Sequence, residues 1–254
     1  MTVKLVRCYS VRKFLPAALK LHLRLILRSM RDWRSGQRFV KRSAERLVKG
    51  PQFELVQALK SANYADNKRH NLMQASARIN QLVIQPGEIF SFWALVGEPS
   101  ARNGYLLGRT LVKGQLQAAY GGGLCQLSGL IYYLALQAGL KIVERYPHSV
   151  DLYIPETRFT PLGSDATVVY GYKDLRVLNS LPQPIAFNVR IEPDEIVGEL
   201  WAKDPVVQFG IEFEAVRRDR AIEVITHRRS NATSQAEVVT VSYYRLPQNE
   251  NMTA

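Results

Sequence analysis

Tyr120 to Leu140 reads YGGGLCQLSGLIYYLALQAGL. Three consecutive glycines, Gly121, Gly122 and Gly123, precede a helix-forming run that ends at Gly139, the residue type that most often closes a helix. Leu127, Leu130, Ile131, Leu134 and Ala138 fall on one helical face. Cys125, Gly129, Tyr132 and Leu136 fall on the opposite face, which is not polar either. A helix that is apolar all round is buried inside its domain. The spacing therefore predicts a central helix with Cys125 in its first turn, aimed away from the leucine stripe and toward whatever covers the second face.

Working outward, Arg69 to Val83 has helical spacing through Leu72, Ser76, Ile79 and Leu82, and Gln85-Pro86-Gly87 ends it. Glu88 to Trp93 (EIFSFW) alternates and is β-prone. Arg102 to Tyr105 reads as a turn, and Arg109 to Val112 as a strand entering a hairpin at Lys113-Gly114. Beyond the central helix, Lys141 to Arg145, Asp151 to Ile154, Ala166 to Tyr170 and Asp174 to Leu178 read as short strands. Ile185 to Ile191 and Glu195 to Ala202 read as a hairpin. Val206 to Ala215, Ile222 to His227 and Ala236 to Tyr244 complete a β-rich C-terminal third. These elements predict an α+β fold, a buried helix beginning at the GGGxC motif against an antiparallel sheet. The expected organisation is a basic N-terminal arm over 1–50, an α+β domain over 51–185, a β-rich extension of it over 186–246, and a frayed tail over 247–254.

The 254 residues are 46% hydrophobic and 22% charged, too apolar for a disordered chain, and contain no repeat. Two cysteines, Cys8 and Cys125, exclude a disulfide framework and a cysteine-rich zinc module. The net charge of +12 is localised: residues 1–50 hold fourteen Lys or Arg against Asp32 and Glu45, and the remainder holds twenty of each sign. The body is neutral, which disfavours nucleic acid as its partner. Within the arm, Phe14 to Met30 reads FLPAALKLHLRLILRSM, with Lys20, Arg24 and Arg28 stacked on one helical face. Such a basic amphipathic helix suits an anionic membrane surface, or else packs on its own domain with solvated charges. Lys20, His22 and Arg24 interrupt the apolar run a signal peptide needs, and no stretch is long enough to span a bilayer. The expected location is the cytoplasm, peripheral at the inner membrane face.

A cysteine in the first turn of a helix lies at the positive end of the helix dipole, and neighbouring glycine N–H groups can point outward to an anion. Backbone groups of Gly122, Gly123, Leu124 and Gln126 are the candidate oxyanion donors. His148, in Arg145-Tyr146-Pro147-His148-Ser149, follows 23 residues after Cys125. A returning strand would set it beside the thiol, with Asp151, Asp165 or Asp174 orienting the ring. This order of cysteine at a helix start, then histidine, then aspartate is that of papain-like and transglutaminase-like hydrolases. It points to amide cleavage or acyl transfer. The plainer reading is a buried small hydrophobe at Cys125 and a hydrogen-bonded loop histidine, in a non-catalytic protein that binds a ligand or serves as a scaffold. Phe90, Phe92 and Trp93, with Arg145 and Ser149, are candidates for the wall of a cleft beside the cysteine, although aromatic clusters more often belong to a core. No cofactor is implied. The segment lacks the Lys-Ser/Thr of a P-loop, and Cys125 and His148 are two ligands only, with His22, His70 and His227 scattered, so no metal site is expected.

The motifs Pro86-Gly87-Glu88-Ile89-Phe90-Ser91-Phe92, Val96-Gly97, Gly104-Tyr105, Gly121 to Gln126, Glu144 to Ser149, Gly163 to Val168 and Asp174-Leu175-Arg176 occur in this order over about residues 69–185. In that combination the chain resembles the VanW family, whose name comes from an accessory gene of vancomycin-resistance clusters. The resemblance implies a connection with the cell wall, which makes a peptide or cell-wall precursor the expected substrate or ligand, and it supplies no reaction. It also implies variation at the position of Asp165, which favours Asp151 or Asp174 as the orienting carboxylate.

Overall fold

The computed structural model describes residues 16–41, 50–59, 63–112, 115–150, 160–230 and 236–246. The chain divides between Gln37 and Arg38 into two compact units. The first contains one helix, α1 (Ala17–Arg34), which starts after Pro16, carries Arg31 and Arg34 in its last turn and has no buried residue. Cations there complement the negative end of the helix dipole. Among the described residues no helix is long and apolar enough to cross a membrane.

The second unit is α+β. Its elements are β1 (Arg38–Phe39), β2 (Pro51–Ala58), α2 (Ala65–Ser76), β3 (Glu88–Ser91), α3 (Phe92–Val96), β4 (Leu107–Val112), β5 (Gln115–Tyr120) and α4 (Leu124–Gln137). They continue with β6 (Lys141–Glu144), β7 (Arg176–Leu178), β8 (Ile185–Ile191), β9 (Glu195–Ala202), β10 (Gly210–Arg217), β11 (Ala221–Arg229) and β12 (Ala236–Arg245). The sheets run β1-β3-β7-β6, β2-β9-β8 and β10-β11-β12, with β4-β5 a separate hairpin. Every pairing is antiparallel except β1 with β3.

Helix α4 is the centre of the core, as its two apolar faces require. Leu127, Leu130, Ile131, Tyr132, Leu134 and Leu136 are fully buried. Removing each such side chain from water is worth about 1.5–3 kcal/mol. α4 packs on α2, β2, β6, β9 and β10. On β9 the contact needs Gly198, where a Cβ would lie 2.8 Å from Leu130. The second face is covered by the extended segment 164–168: the Ser128 hydroxyl donates to the Ala166 carbonyl at 2.6 Å.

Several elements depart from the sequence reading. α2 starts at Ala65 and stops at Ser76, so Ile79, Leu82 and Val83 are buried from the turns that follow it. Phe92 and Trp93 leave the strand and open α3, because the Ser91 hydroxyl accepts the Ala94 N–H and caps a helix there. Residues 166–170 are extended without a strand partner; their ties are the Thr167 N–H to the Tyr146 carbonyl and a bridge from Val169 to Lys173. The compact unit begins at Arg38 rather than 51, since Arg38 and Phe39 pair with Glu88 and Ile89. Pro51 opens β2, a strand whose uneven burial hid its period. The strand expected at 151–154 and the tail at 247–254 lie outside the described residues.

The N-terminus of α4 is built by its glycines. Gly123 caps the helix at φ 101°, a conformation side chains other than hydrogen rarely permit. Gly122 lies against the β4 backbone: a Cβ there would sit 2.5 Å from the Gly108 Cα and 2.8 Å from the Arg109 nitrogen. The fully buried Asn71 of α2 locks the junction, donating to the carbonyls of Leu106 at 3.0 Å and Gly122 at 3.1 Å and accepting the Leu106 N–H at 2.8 Å. Gly122→Ala is expected to destabilise the fold by about 3 kcal/mol through overpacking against main chain. Gly50→Ala, where a Cβ meets nothing within 4 Å, should leave the urea midpoint nearly unchanged. Equal midpoints for the two variants would refute the close-approach account.

Candidate functional site

Cys125 occupies the first turn of α4 and is half-buried. Its sulfur lies 3.8 Å from the Val168 carbonyl, toward which the S–H is directed. Turn geometry decides which amides near it are available. The Leu124 N–H donates to Gly121 at 3.2 Å and the Gln126 N–H to Gly123 at 2.9 Å, so these two of the four expected oxyanion donors are spent inside the turn. The Gln126 side chain is also occupied, donating to the Ala58 carbonyl at 3.0 Å. Among the described residues, no acceptor takes the N–H groups of Gly122, Gly123 and Cys125. The free amides are therefore those of Gly122, of the cap residue Gly123 and of the cysteine itself.

His148 follows β6 and is placed by Asp165. One oxygen of the Asp165 carboxylate accepts both the His148 backbone N–H and the ring Nδ1–H, each at 2.6 Å. That fixes the ring, and the Cys125 side chain is its other interacting neighbour. The second carboxylate oxygen accepts from the Tyr244 hydroxyl at 2.5 Å and the Arg145 guanidinium at 3.1 Å. Arg145 is itself immobilised. Its side chain is 4% exposed, it donates to the carbonyls of Gly163 and Asp165 and to the Ser242 hydroxyl, and it lies over the Tyr132 ring.

Charge follows from this geometry. Burial opposes a protonated His148. The hydrogen bond to Asp165 and the interaction with Cys125 outweigh it, pushing the imidazole up to about 10. Burial likewise opposes an ionised Asp165, but the hydrogen bond from His148 and the Arg145 guanidinium hold it well below the usual carboxylate range. Tyr244 is driven up, first by burial and then by the Asp165 charge, so it remains a hydroxyl donor. At neutral pH the site holds an imidazolium clasped by a carboxylate, with the Cys125 side chain as its other neighbour.

Asp174 is not the carboxylate that meets His148. It is 2% exposed and accepts from the Ser91 hydroxyl at 2.7 Å, the Trp93 N–H at 3.0 Å and Arg176 at 3.2 Å, anchoring the start of α3. Asp151 lies outside the described residues. Phe90 and Phe92 are core, not cleft wall, at 1% and 0% exposure. Trp93 is half-buried, edge-on to Tyr170 at 5.5 Å, with its indole N–H on the Lys173 carbonyl. Arg145 clamps Asp165 instead of lining a cleft. Ser149 is exposed, and its carbonyl accepts from Arg245. Sequence reasoning missed Asn71, Ser128 and Tyr244. The signals were weak: Asn71 beside Leu72 on the buried face of the polar α2, one hydroxyl within the apolar α4, and an alternation in β12 that puts Ser242 and Tyr244 on one buried face.

Both charge shifts stabilise the fold within a window. The His148 contribution is complete below its ordinary 6.5 and is lost as pH rises through about 10. The Asp165 contribution is complete above its ordinary 3.8 and is lost on acidification. Thermal unfolding followed upward from neutral pH should therefore show a fall in Tm toward pH 10 that His148→Gln lacks. Parallel curves for the two proteins would count against the ion pair.

The VanW-like protein family model matches residues 67–201. Over 150 residues the chain is 36% identical to the vancomycin B-type resistance protein VanW of Enterococcus faecalis, covering 58% of this chain and 54% of that protein. Over 140 residues it is 34% identical to the uncharacterized protein YoaR of Bacillus subtilis, covering 55% and 45%. The chain thus spans about half the length of these relatives. No solved structure matches. Cys125, His148 and Asp165 all fall inside the matched segment, whereas Ser242 and Tyr244 lie beyond it. With the family model covering more than half of its length, the chain belongs to the VanW-like family.

Proposed function

We propose that this protein is a cysteine-dependent amide hydrolase or acyl transferase, with Cys125 as nucleophile, His148 as acid and base, and Asp165 as the residue that orients and charges the imidazole. The observation that carries the reading is the 2.6 Å Asp165–His148 contact, with Cys125 the other side chain that interacts with the ring. A buried cysteine of purely structural use has no need of a clamped imidazolium. The unspent amides of Gly122, Gly123 and Cys125 are where an oxyanion would be received.

The steps follow from those positions. The Cys125 sulfur, its proton held by His148, adds to the amide carbonyl carbon, and the carbonyl oxygen takes up the negative charge facing the free N–H groups. The tetrahedral species collapses as His148 gives its Nε2 proton to the departing amine, leaving a thioester on Cys125. Water, or a second amine in the transfer reaction, then gives a proton to His148 and attacks the thioester. Collapse expels the Cys125 sulfur with the proton restored to the Cys–His pair. The half-exposed Trp93, Tyr170 and Tyr146 offer apolar surface near the segment carrying Val168 and His148. That surface suits the side chains of a peptide. The relative's name, a vancomycin resistance protein, makes a cell-wall precursor peptide the substrate class to test first.

At pH 7, Cys125 in the intact chain is expected to react with iodoacetamide at least ~10-fold faster than in His148→Ala, followed by mass mapping that separates it from Cys8. An unchanged rate would overturn the assignment. In turnover assays on stem peptides, Cys125→Ala should abolish amide cleavage with the unfolding curve preserved. Full function of Cys125→Ala in a deletion strain would instead establish a non-catalytic ligand-binding role.

A further inference from the structure

The second feature that asks for a partner is α1, and it is independent of the thiol site. Leu19, Leu23, Ile26, Leu27, Met30 and Trp33 follow the spacing i, i+4, i+7, i+8, i+11 and i+14, and their exposures are 44%, 43%, 55%, 51%, 45% and 82%. At 3.6 residues per turn these six side chains occupy an arc of about 120°. Lys20, Arg24, Arg28, Arg31 and Arg34 form a ridge along one border of that arc, and Asp32 is the helix's single acid. The apolar stripe and the basic ridge run parallel over a helix ~27 Å long.

We infer that α1 is an interfacial helix that docks on the surface of an anionic phospholipid bilayer, its stripe immersed among the upper acyl chains and its ridge at the headgroups. Each alternative partner leaves one half of the pattern unexplained. Nucleic acid would use the cations and leave six large apolar side chains in water. A second copy of the helix would cover the stripe but bring two ridges of five cations and one acid each together, where pairing requires opposite charges. A bilayer meets both demands. Long Lys and Arg stems lie along apolar surface with their heads at the phosphates. The indole of Trp33, the most exposed of the six, is a side chain that favours the headgroup boundary. The charge excess extends the same logic, since residues 1–50 carry the whole net +12 of the chain and anionic lipid attracts each cation near its surface.

The test uses the full chain and vesicles of phosphatidylcholine with or without about a third phosphatidylglycerol. Sedimentation should show binding to the anionic vesicles at least ~10-fold tighter than to neutral ones. Brominated lipids should quench tryptophan fluorescence in the wild type and much less in Trp33→Phe, which keeps Trp93 and Trp201. The double variant Ile26→Glu with Leu27→Glu, both exposed positions, should lose vesicle binding while its helix content stays the same by circular dichroism. Vesicle binding untouched by the double variant would overturn the inference. So would a dimer that the variant dissolves in a protein that never binds vesicles, or capture of duplex DNA that is tighter than vesicle binding and indifferent to the variant.

Discussion

The Asp165 carboxylate takes hydrogen bonds from the Arg145 guanidinium, the Tyr244 hydroxyl, the His148 backbone N–H and the His148 ring. These donors come from the segment after β6 and from β12, parts of the chain separated by about a hundred residues. A carboxylate removed from water is costly unless its lone pairs are satisfied and its charge is opposed. Here both conditions are met only when β12, the 145–148 segment and the 163–168 segment close on one another. The same contacts orient the imidazole, so the electrostatic requirement of one buried acid is also what sets His148 against Cys125.

The cysteine arrives at that place for an unrelated reason. α4 is apolar on both faces and is driven to the middle of the domain, while its first turn must pass the β4 backbone at a distance that only Gly122 allows. Asn71 then ties the turn to α2. Burial of the helix body and exposure of its first turn together leave a half-buried sulfur beside unspent amides at the positive end of the helix. The C-terminal sheet is no accessory here. Ser242 and Tyr244 lie beyond the segment shared with the family, yet they complete the hydrogen-bond set round Arg145 and Asp165.

Much of this was legible in residue order. The glycine run, the doubly apolar helix, the hairpin of β8 and β9 and the three C-terminal strands were all readable, because each rests on local periodicity or on a motif spanning few residues. The orienting carboxylate was not. Asp165 and Asp174 stand 17 and 26 residues after His148, and nothing local says which loop returns to the ring. Asp174 is consumed by Ser91, Trp93 and Arg176, and Ser91 in turn breaks the alternation of Glu88 to Trp93 by capping α3. Phe92 went to the core for the same reason: once the chain turns into a helix, its side chain points inward.

By itself the order of residues determined the central helix and the C-terminal strands, where the charge lies and which side chains are capable of nucleophilic and acid–base chemistry, since those properties belong to single residues or to spacings of two to four. Tertiary structure alone decided which carboxylate serves His148, which amides near Cys125 remain free, and that Tyr244 and Asn71 take part. Each of these depends on which hydrogen-bond partners are already taken by other segments, a competition settled by packing among residues distant in the chain.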